Sequence, residues 1–171
     1  MLTSGVALPI SIFVPAHNEE QTIVENVRSM LALHYPDFEV IVINDGSKDR
    51  TLEVLIEALD LQRIERVWHP EVPHQEIRGL YGNPRHPRLL VVDKVNGGKS
   101  DALNAGINLS RFPLFCAVDA DSLLDHDSLL QVMRPFIEEP EEMVAVGGRI
   151  CIVNGCTVRA GERVVRRRAG R

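Results

Sequence analysis

The sequence predicts an α/β fold: a mostly parallel sheet with helices on both faces. Two observations carry that prediction. Short apolar runs alternate with segments whose apolar residues recur at helical spacing, and such alternation builds parallel sheets covered by helices. Three of the runs also end in polar clusters, at residues 15–19, 44–49 and 119–121. In open sheets of this kind ligands bind outside the carboxyl ends of the strands, which puts the three clusters on one rim.

Residues 10–14 form an apolar run closed by Pro15, a buried strand. Asn18 is placed to cap a helix through its side-chain oxygen, answered by Gln21. That helix carries Ile23, Val27, Met30 and Leu31, and Pro36 stops it. A second strand over residues 40–43 enters Asn44-Asp45-Gly46-Ser47, a turn sequence. Ser47 or Asp49 caps the next helix, which carries Leu52, Leu55, Ile56 and Leu59. Residues 64–68 read as a third strand. Residues 69–88, with four prolines and three histidines, read as a long loop. A strand follows over residues 89–92. Asn96-Gly97-Gly98-Lys99 then opens a helix carrying Leu103, Ala105, Ile107 and Leu109. Residues 114–118 form a buried strand that closes on Asp119-Ala120-Asp121, and a helix covers about 127–137. Residues 143–146 and 149–153 read as the last strands.

The 171 residues make one domain with a real core, and apolar and charged fractions of 44% and 25% are ordinary for a globular chain. Aromatics, at 5%, are too scarce for stacked bases or aromatic sugar platforms. The net charge of −5 is uneven. Residues 159–171 hold six arginines and one glutamate, leaving 13 basic and 23 acidic groups elsewhere. An acidic body does not suit nucleic acid and does suit a bound cation. The three cysteines are odd in number and lack zinc-site spacing, which points to a reducing compartment. No stretch approaches the roughly 20 apolar residues of a membrane span, and no secretion signal opens the chain. A soluble, cytoplasmic chain is expected.

Asp119 and Asp121 stand two apart after a strand, so in an extended segment both carboxylates face one way. Paired hard oxygens suit Mg²⁺ or Mn²⁺, which would offset charge on a leaving diphosphate. The alternative is two carboxylates capping the following turn. Asp45 can accept a hydrogen bond from a pyrimidine imide, or simply close an Asx-turn. Glu19 can bind a ribose or favour a helix N-terminus. Lys99, at a glycine-rich helix start, suits phosphate, although the segment is no P-loop. His69, His74 and His86 match no zinc pattern and read as a solvated loop. Trp68 reads as packing. The arginine-rich end is either a juxtamembrane basic stretch drawn to anionic lipid or a cut end beside a membrane-proximal segment.

Together these residues resemble family 2 glycosyltransferases, a group that includes processive polysaccharide synthases. Val14-Pro15-Ala16-His17-Asn18-Glu19 looks like the opening strand and nucleotide loop. Val42-Ile43-Asn44-Asp45-Gly46-Ser47-Lys48-Asp49-Arg50-Thr51 looks like the second signature, with Asn44 where an aspartate is common. Gly97-Gly98-Lys99-Ser100-Asp101-Ala102-Leu103-Asn104-Ala105-Gly106 is similar to the helix beside the diphosphate, and Asp119-Ala120-Asp121 matches the metal motif.

The resemblance implies a GT-A fold and a nucleotide-sugar donor, UDP-linked by family default. Pro15, Asn18, Glu19, Asp45, Lys99 and Asp119 would hold the nucleotide, and Asp119 and Asp121 would hold Mg²⁺ or Mn²⁺. It implies inverting transfer to the hydroxyl of a carbohydrate or lipid-linked acceptor, with the general base downstream of this chain. The Gln-x-x-Arg-Trp motif of the synthases does not occur here. Residues 1–158 therefore read as an incomplete donor domain and 159–171 as a basic tail. The parent protein would lie at the cytoplasmic face of a membrane. An exposed sheet edge would also permit pairing with a second copy. A non-catalytic nucleotide-binding or assembly module on the same fold is the competing reading. An Asp-x-Asp phosphatase is disfavoured, because such enzymes place the motif after the first strand.

Overall fold

The computed structural model describes residues 7–148 and the backbone of residues 157–159 and 162–164. Six strands form one sheet: β1 (Ile10–Ala16), β2 (Phe38–Asp45), β3 (Gln62–Ile64), β4 (Ile77–Gly82), β5 (Leu89–Lys94) and β6 (Leu114–Ala117). Four helices interleave with them: α1 (Ile23–Leu31), α2 (Thr51–Leu59), α3 (Lys99–Leu109) and α4 (Ser128–Glu138). The strand order is β3-β4-β5-β2-β1-β6. Pairings β1–β2, β1–β6 and β2–β5 are parallel, whereas β4 runs antiparallel to both β3 and β5. The sheet is thus mixed, with a parallel centre.

The topology fixes which face each helix covers. From β1 the chain steps to β2 and on toward β3 in one direction, and from β5 it crosses back over to β6. Right-handed crossovers in opposite directions place their helices on opposite faces. Accordingly, Ile23, Val27 and Met30 of α1, Leu55 and Leu59 of α2, and Leu129 and Met133 of α4 pack with Ile12, Val14, Val40 and Val42. Ala102 and Leu109 of α3 pack with Phe13, Ile41, Ile43 and Val92 on the other face. Strands β1 and β2 are covered on both sides, which is why their residues read as unbroken apolar runs. Each fully buried side chain there contributes about 1.5–3 kcal/mol.

Several expectations need correction. β3 begins at Gln62 and is all exposed, so the third strand is earlier and shorter than residues 64–68. β4 lies inside the segment read as a long loop; its prolines bracket the strand rather than interrupt it. Asn18 does not cap α1, whose N-cap is Thr22 without a side-chain bond. Asp49 does serve the start of α2, where its Oδ1 accepts the Thr51 N–H at 3.0 Å. Residues 143–146 are not a strand; Val144 is 92% exposed, so no neighbour rewards extending it. The strand expected over 149–153 lies outside the described residues. Further along the chain, the backbone of β7 (Thr157–Arg159) pairs antiparallel with that of β8 (Glu162–Val164).

Candidate functional site: a cavity at the switch point of the sheet

Where helices change face, the strands on either side diverge at their carboxyl ends, and this opens a crevice. The divergence can be followed residue by residue. β6 pairs with β1 only as far as Phe13↔Ala117, with Val118 N–H reaching Phe13 O at 2.9 Å. Two residues later Pro15 presents the same edge beyond the last β1–β6 pair, where its missing N–H costs no ladder bond. A cavity of about 450 Å³ opens there. It is lined from the β1 end by Pro15, Ala16, His17 and Glu19, and from the β2 end by Asp45. Asn96, Gly98 and Lys99 line it from the start of α3, and Asp119, Ala120 and Asp121 from beyond β6.

Glu19 stands where the cavity meets the start of α1. It lines the cavity, and its backbone carbonyl receives the Thr22 and Ile23 N–H groups as α1 begins. Asn18 is the one nucleotide candidate that does not line the cavity. It adopts a left-handed conformation with φ 59°, its side-chain oxygen accepts Lys48 N–H at 2.8 Å, and its own N–H reaches Ser47 Oγ at 3.0 Å. It staples the loop after β1 to the loop after β2. Asp49 extends that staple by accepting Glu20 N–H at 3.1 Å. Burial works to raise the Asp49 pKa, but the hydrogen bonds from Thr51 and Glu20 outweigh it and hold the carboxyl below its ordinary range.

Asp45 organises the cavity wall. Its side chain is 6% exposed. Its carboxylate accepts Lys94 Nζ at 2.6 Å, Gly97 N–H at 2.9 Å and Gly98 N–H at 2.7 Å. The glycine amides expected to suit a phosphate are therefore already engaged by an anion of the protein itself. The Asp45 backbone carbonyl takes Asn96 Nδ2 at 2.8 Å and His17 Nδ1 at 2.9 Å. Gly46 makes the approach possible: its φ is +62°, and a Cβ would lie 2.7 Å from the Asn96 nitrogen.

Across the cavity Lys99 forms an ion pair with Asp119, both side chains more than half exposed. The strand has ended by this point. Residues 119–122 form a turn closed by Ser122 N–H on Asp119 O at 2.9 Å, and buried Asn26 of α1 donates from Nδ2 to Ala120 O. Asp119 and Asp121 both line the cavity, but through this pinned turn rather than through strand alternation. The donor set fits Mg²⁺ or Mn²⁺ of the kind that keeps one or two carboxylates and takes its other ligands from phosphate and water. Asp119 already receives a cationic group, Lys99, at this place. Among the described residues no cluster of three or more metal-ligating side chains exists, so an all-protein cage does not fit.

Sequence reasoning passed over His17 and Asn96 as individual site residues, although both stood inside quoted motifs. It also passed over Lys94. The signal for Lys94 was present: a charged residue closing an apolar run that the sheet buries on both faces. The three loop histidines are not gathered. His74 lies beside α3, bonding Gln75 O through Nδ1, and His86 lines a separate hollow between α1 and α2. No helix among the described residues is long and apolar enough to cross a membrane.

Known proteins resemble this chain in sequence and in fold. The chain is 30% identical over 149 residues to a poly-beta-1,6-N-acetyl-D-glucosamine synthase of Staphylococcus epidermidis, covering 87% of this chain and 30% of that protein. It is 31% identical over 130 residues to a chondroitin synthase of Pasteurella multocida, covering 76% of this chain and 11% of that protein. The chain thus spans a third or less of these relatives. Among solved structures, S. aureus TarS 1–349 in complex with UDP-GlcNAc matches with a TM-score of 0.57 and 22% identity, over 85% of this chain and 37% of that one. The mannosyltransferase PcManGT from Pyrobaculum calidifontis, in complex with GDP-Man and Mn²⁺, matches with a TM-score of 0.57 and 21% identity, over 74% and 32% of the two chains. These likenesses show a shared GT-A fold. The model of glycosyl transferase family 2 matches residues 11–163, and the chain belongs to that family.

Proposed function

We propose that this chain is the donor-binding part of a glycosyltransferase, holding a nucleotide-diphosphate sugar, UDP-linked, for inverting transfer to an acceptor hydroxyl. The observation that carries the reading is the meeting of Asp45, Glu19, Lys99, Asp119 and Asp121 in one cavity at the switch point. Pro15, Glu19 and Asp45 line its nucleoside side. Asp45 has three of its roughly four acceptor positions engaged, leaving one for a base imide. Asn18 supports this side indirectly, through the loop it staples. Lys99 and Asp119 flank the diphosphate, and Asp119 and Asp121 hold Mg²⁺ or Mn²⁺. The metal supplies charge to offset the diphosphate as it leaves. Transfer breaks the bond between the anomeric carbon and the diphosphate oxygen as the acceptor oxygen bonds from the opposite face. The acceptor's proton passes to a base that the longer parent protein provides. Nucleic acid has no place in this reading; the acceptor is a carbohydrate or a lipid-linked sugar, and the parent works at the cytoplasmic face of a membrane.

Titration calorimetry of the chain with UDP, with and without Mn²⁺, tests this. Binding that requires metal, and that Asp121→Asn weakens about tenfold or more, is the expected outcome (about 1.4 kcal/mol). Equal binding with and without metal, or by Asp121→Asn, would remove the metal role. No binding of any nucleotide would remove the donor reading altogether.

A further inference from the structure

Lys94 ends β5 with no exposed side-chain surface, and the donor reading makes no use of it. Its ammonium donates to Asp45 Oδ1 at 2.6 Å, Asp101 Oδ1 at 2.5 Å and Val95 O at 2.6 Å. An ammonium has three donors and no acceptor, so its capacity is filled and none is left for a ligand. A lysine this buried persists only when paired and hydrogen-bonded. Here the partners sit on two elements that meet at the cavity: Asp45 closes β2 and Asp101 lies in the first turn of α3.

Each partner has a second task. Asp45 grips the Gly97 and Gly98 amides that shape the cavity wall. Asp101 accepts Gln75 N–H on both oxygens, at 3.2 and 2.9 Å, and packs so closely on Gly97 that a Cβ there would lie 2.4 Å from its carboxyl group. We infer that Lys94 is a positioning residue for the donor cavity, holding the Asp45 carboxylate between β5 and α3 and thereby fixing the Asn96-Gly97-Gly98 wall. The inference rests on the donor-binding reading for its ligand. Without the ammonium, Asp45 carries an uncompensated buried charge whose nearest water is the cavity. It turns outward, releases the two glycine amides and sets an additional anion in front of the diphosphate.

The test uses Lys94→Met and the pair Lys94→Met/Asp101→Asn. The pair keeps the local formal charge at the wild-type value, one negative, and so protects the fold. In the nucleotide-free pair, the Gly97 and Gly98 amide protons, shifted downfield by a carboxylate acceptor, are expected to move upfield. UDP affinity measured with Mn²⁺ is expected to fall tenfold or more. A folded pair with wild-type glycine shifts, or with wild-type affinity, overturns the inference. If the wild type itself binds no nucleotide, the donor reading fails, while the glycine shifts still decide the positioning claim. Should neither variant fold, a UDP titration of the unaltered protein decides. The Lys94 ¹⁵Nζ resonance is expected to move together with the two glycine amides, and a Lys94 signal that stays fixed while they move overturns the inference.

Discussion

At the scale of single residues, the cavity is held by carboxylates that bond the chain's own backbone. Asp45 does so on the wall and Asp49 does so in the loop after β2, where Oδ1 meets Thr51 N–H and Oδ2 meets Glu20 N–H. Burial acts to raise the Asp49 pKa, but these bonds favour the charged carboxylate and together hold it below the ordinary value. The folded pKa is therefore the lower one. The stabilisation is complete above the unfolded value of about 3.9 and is lost as pH falls through the folded value. Asp49→Asn is expected to lower stability at neutral pH and to show a shallower loss below about pH 4 than wild type. Urea midpoints measured down that acid limb check it; parallel limbs for the two proteins would contradict the assignment. Asp101 obeys the same sign, since hydrogen bonds from Lys94 and Gln75 outweigh its burial.

At the scale of elements, α3 has two working ends. Lys99 at its start lines the cavity, and along one face Asp101, Asn104 and Asn108 meet the backbone of residues 71–75. Asn104 Nδ2 donates to Pro73 O at 2.8 Å. Asn108 Oδ1 accepts Glu71 and Val72 N–H at 2.9 and 3.1 Å, and its Nδ2 donates to Val72 O at 2.7 Å. Positions 101, 104 and 108 share a face because three- and four-residue steps return to it. Asn108→Ala is expected to cost about 1–3 kcal/mol, confined to this segment. Hydrogen exchange checks it: Glu71 and Val72 amides lose protection while amides of β1 and β2 keep theirs.

The same segment shows what the sequence made legible. Apolar runs and helical spacing identified α1 to α4 and the central strands, because burial on one or both faces writes a clear period. β4 escaped because prolines crowd its flanks and Gly79 and Gly82 dilute its apolar residues. Residues 143–146, Met-Val-Ala-Val, misled because a short apolar run with valines mimics a strand whether or not a neighbour covers it. Asp119 and Asp121 both line the cavity, but the turn that carries them is pinned by Asn26, 94 residues before Ala120 in the chain, a contact no local pattern encodes.

At the scale of the whole molecule, the two ends of the sheet divide the labour. The carboxyl ends carry the cavity. The amino ends carry a closed ionic joint: Glu39, 2% exposed, accepts Ser11 Oγ, Arg111 N–H and Arg111 Nε, each at 2.7 Å. This joint ties β1, β2 and the connection from α3 to β6 at the edge opposite the site. Ser11 pairs in register with Glu39, and Ala16, on the cavity, lies five residues further along β1, about 16 Å away. Removing the Arg111 side chain leaves a buried charge short of one partner. The guanidinium is half exposed, so the loss is that of a charge-assisted hydrogen bond rather than of a fully buried pair. Arg111→Met is expected to destabilise by about 1.5–3 kcal/mol with no change in UDP affinity at temperatures well below unfolding. Sites more than about 10 Å apart with no shared partner add in free energy. The double variant Arg111→Met/Asp121→Asn should therefore show the stability of the first and the affinity of the second. Denaturant unfolding and calorimetry on the two single variants and the double variant measure the coupling. A coupling above about 0.5 kcal/mol in either quantity would mean that the amino edge of the sheet also sets the geometry of the cavity, and that the two ends are one device.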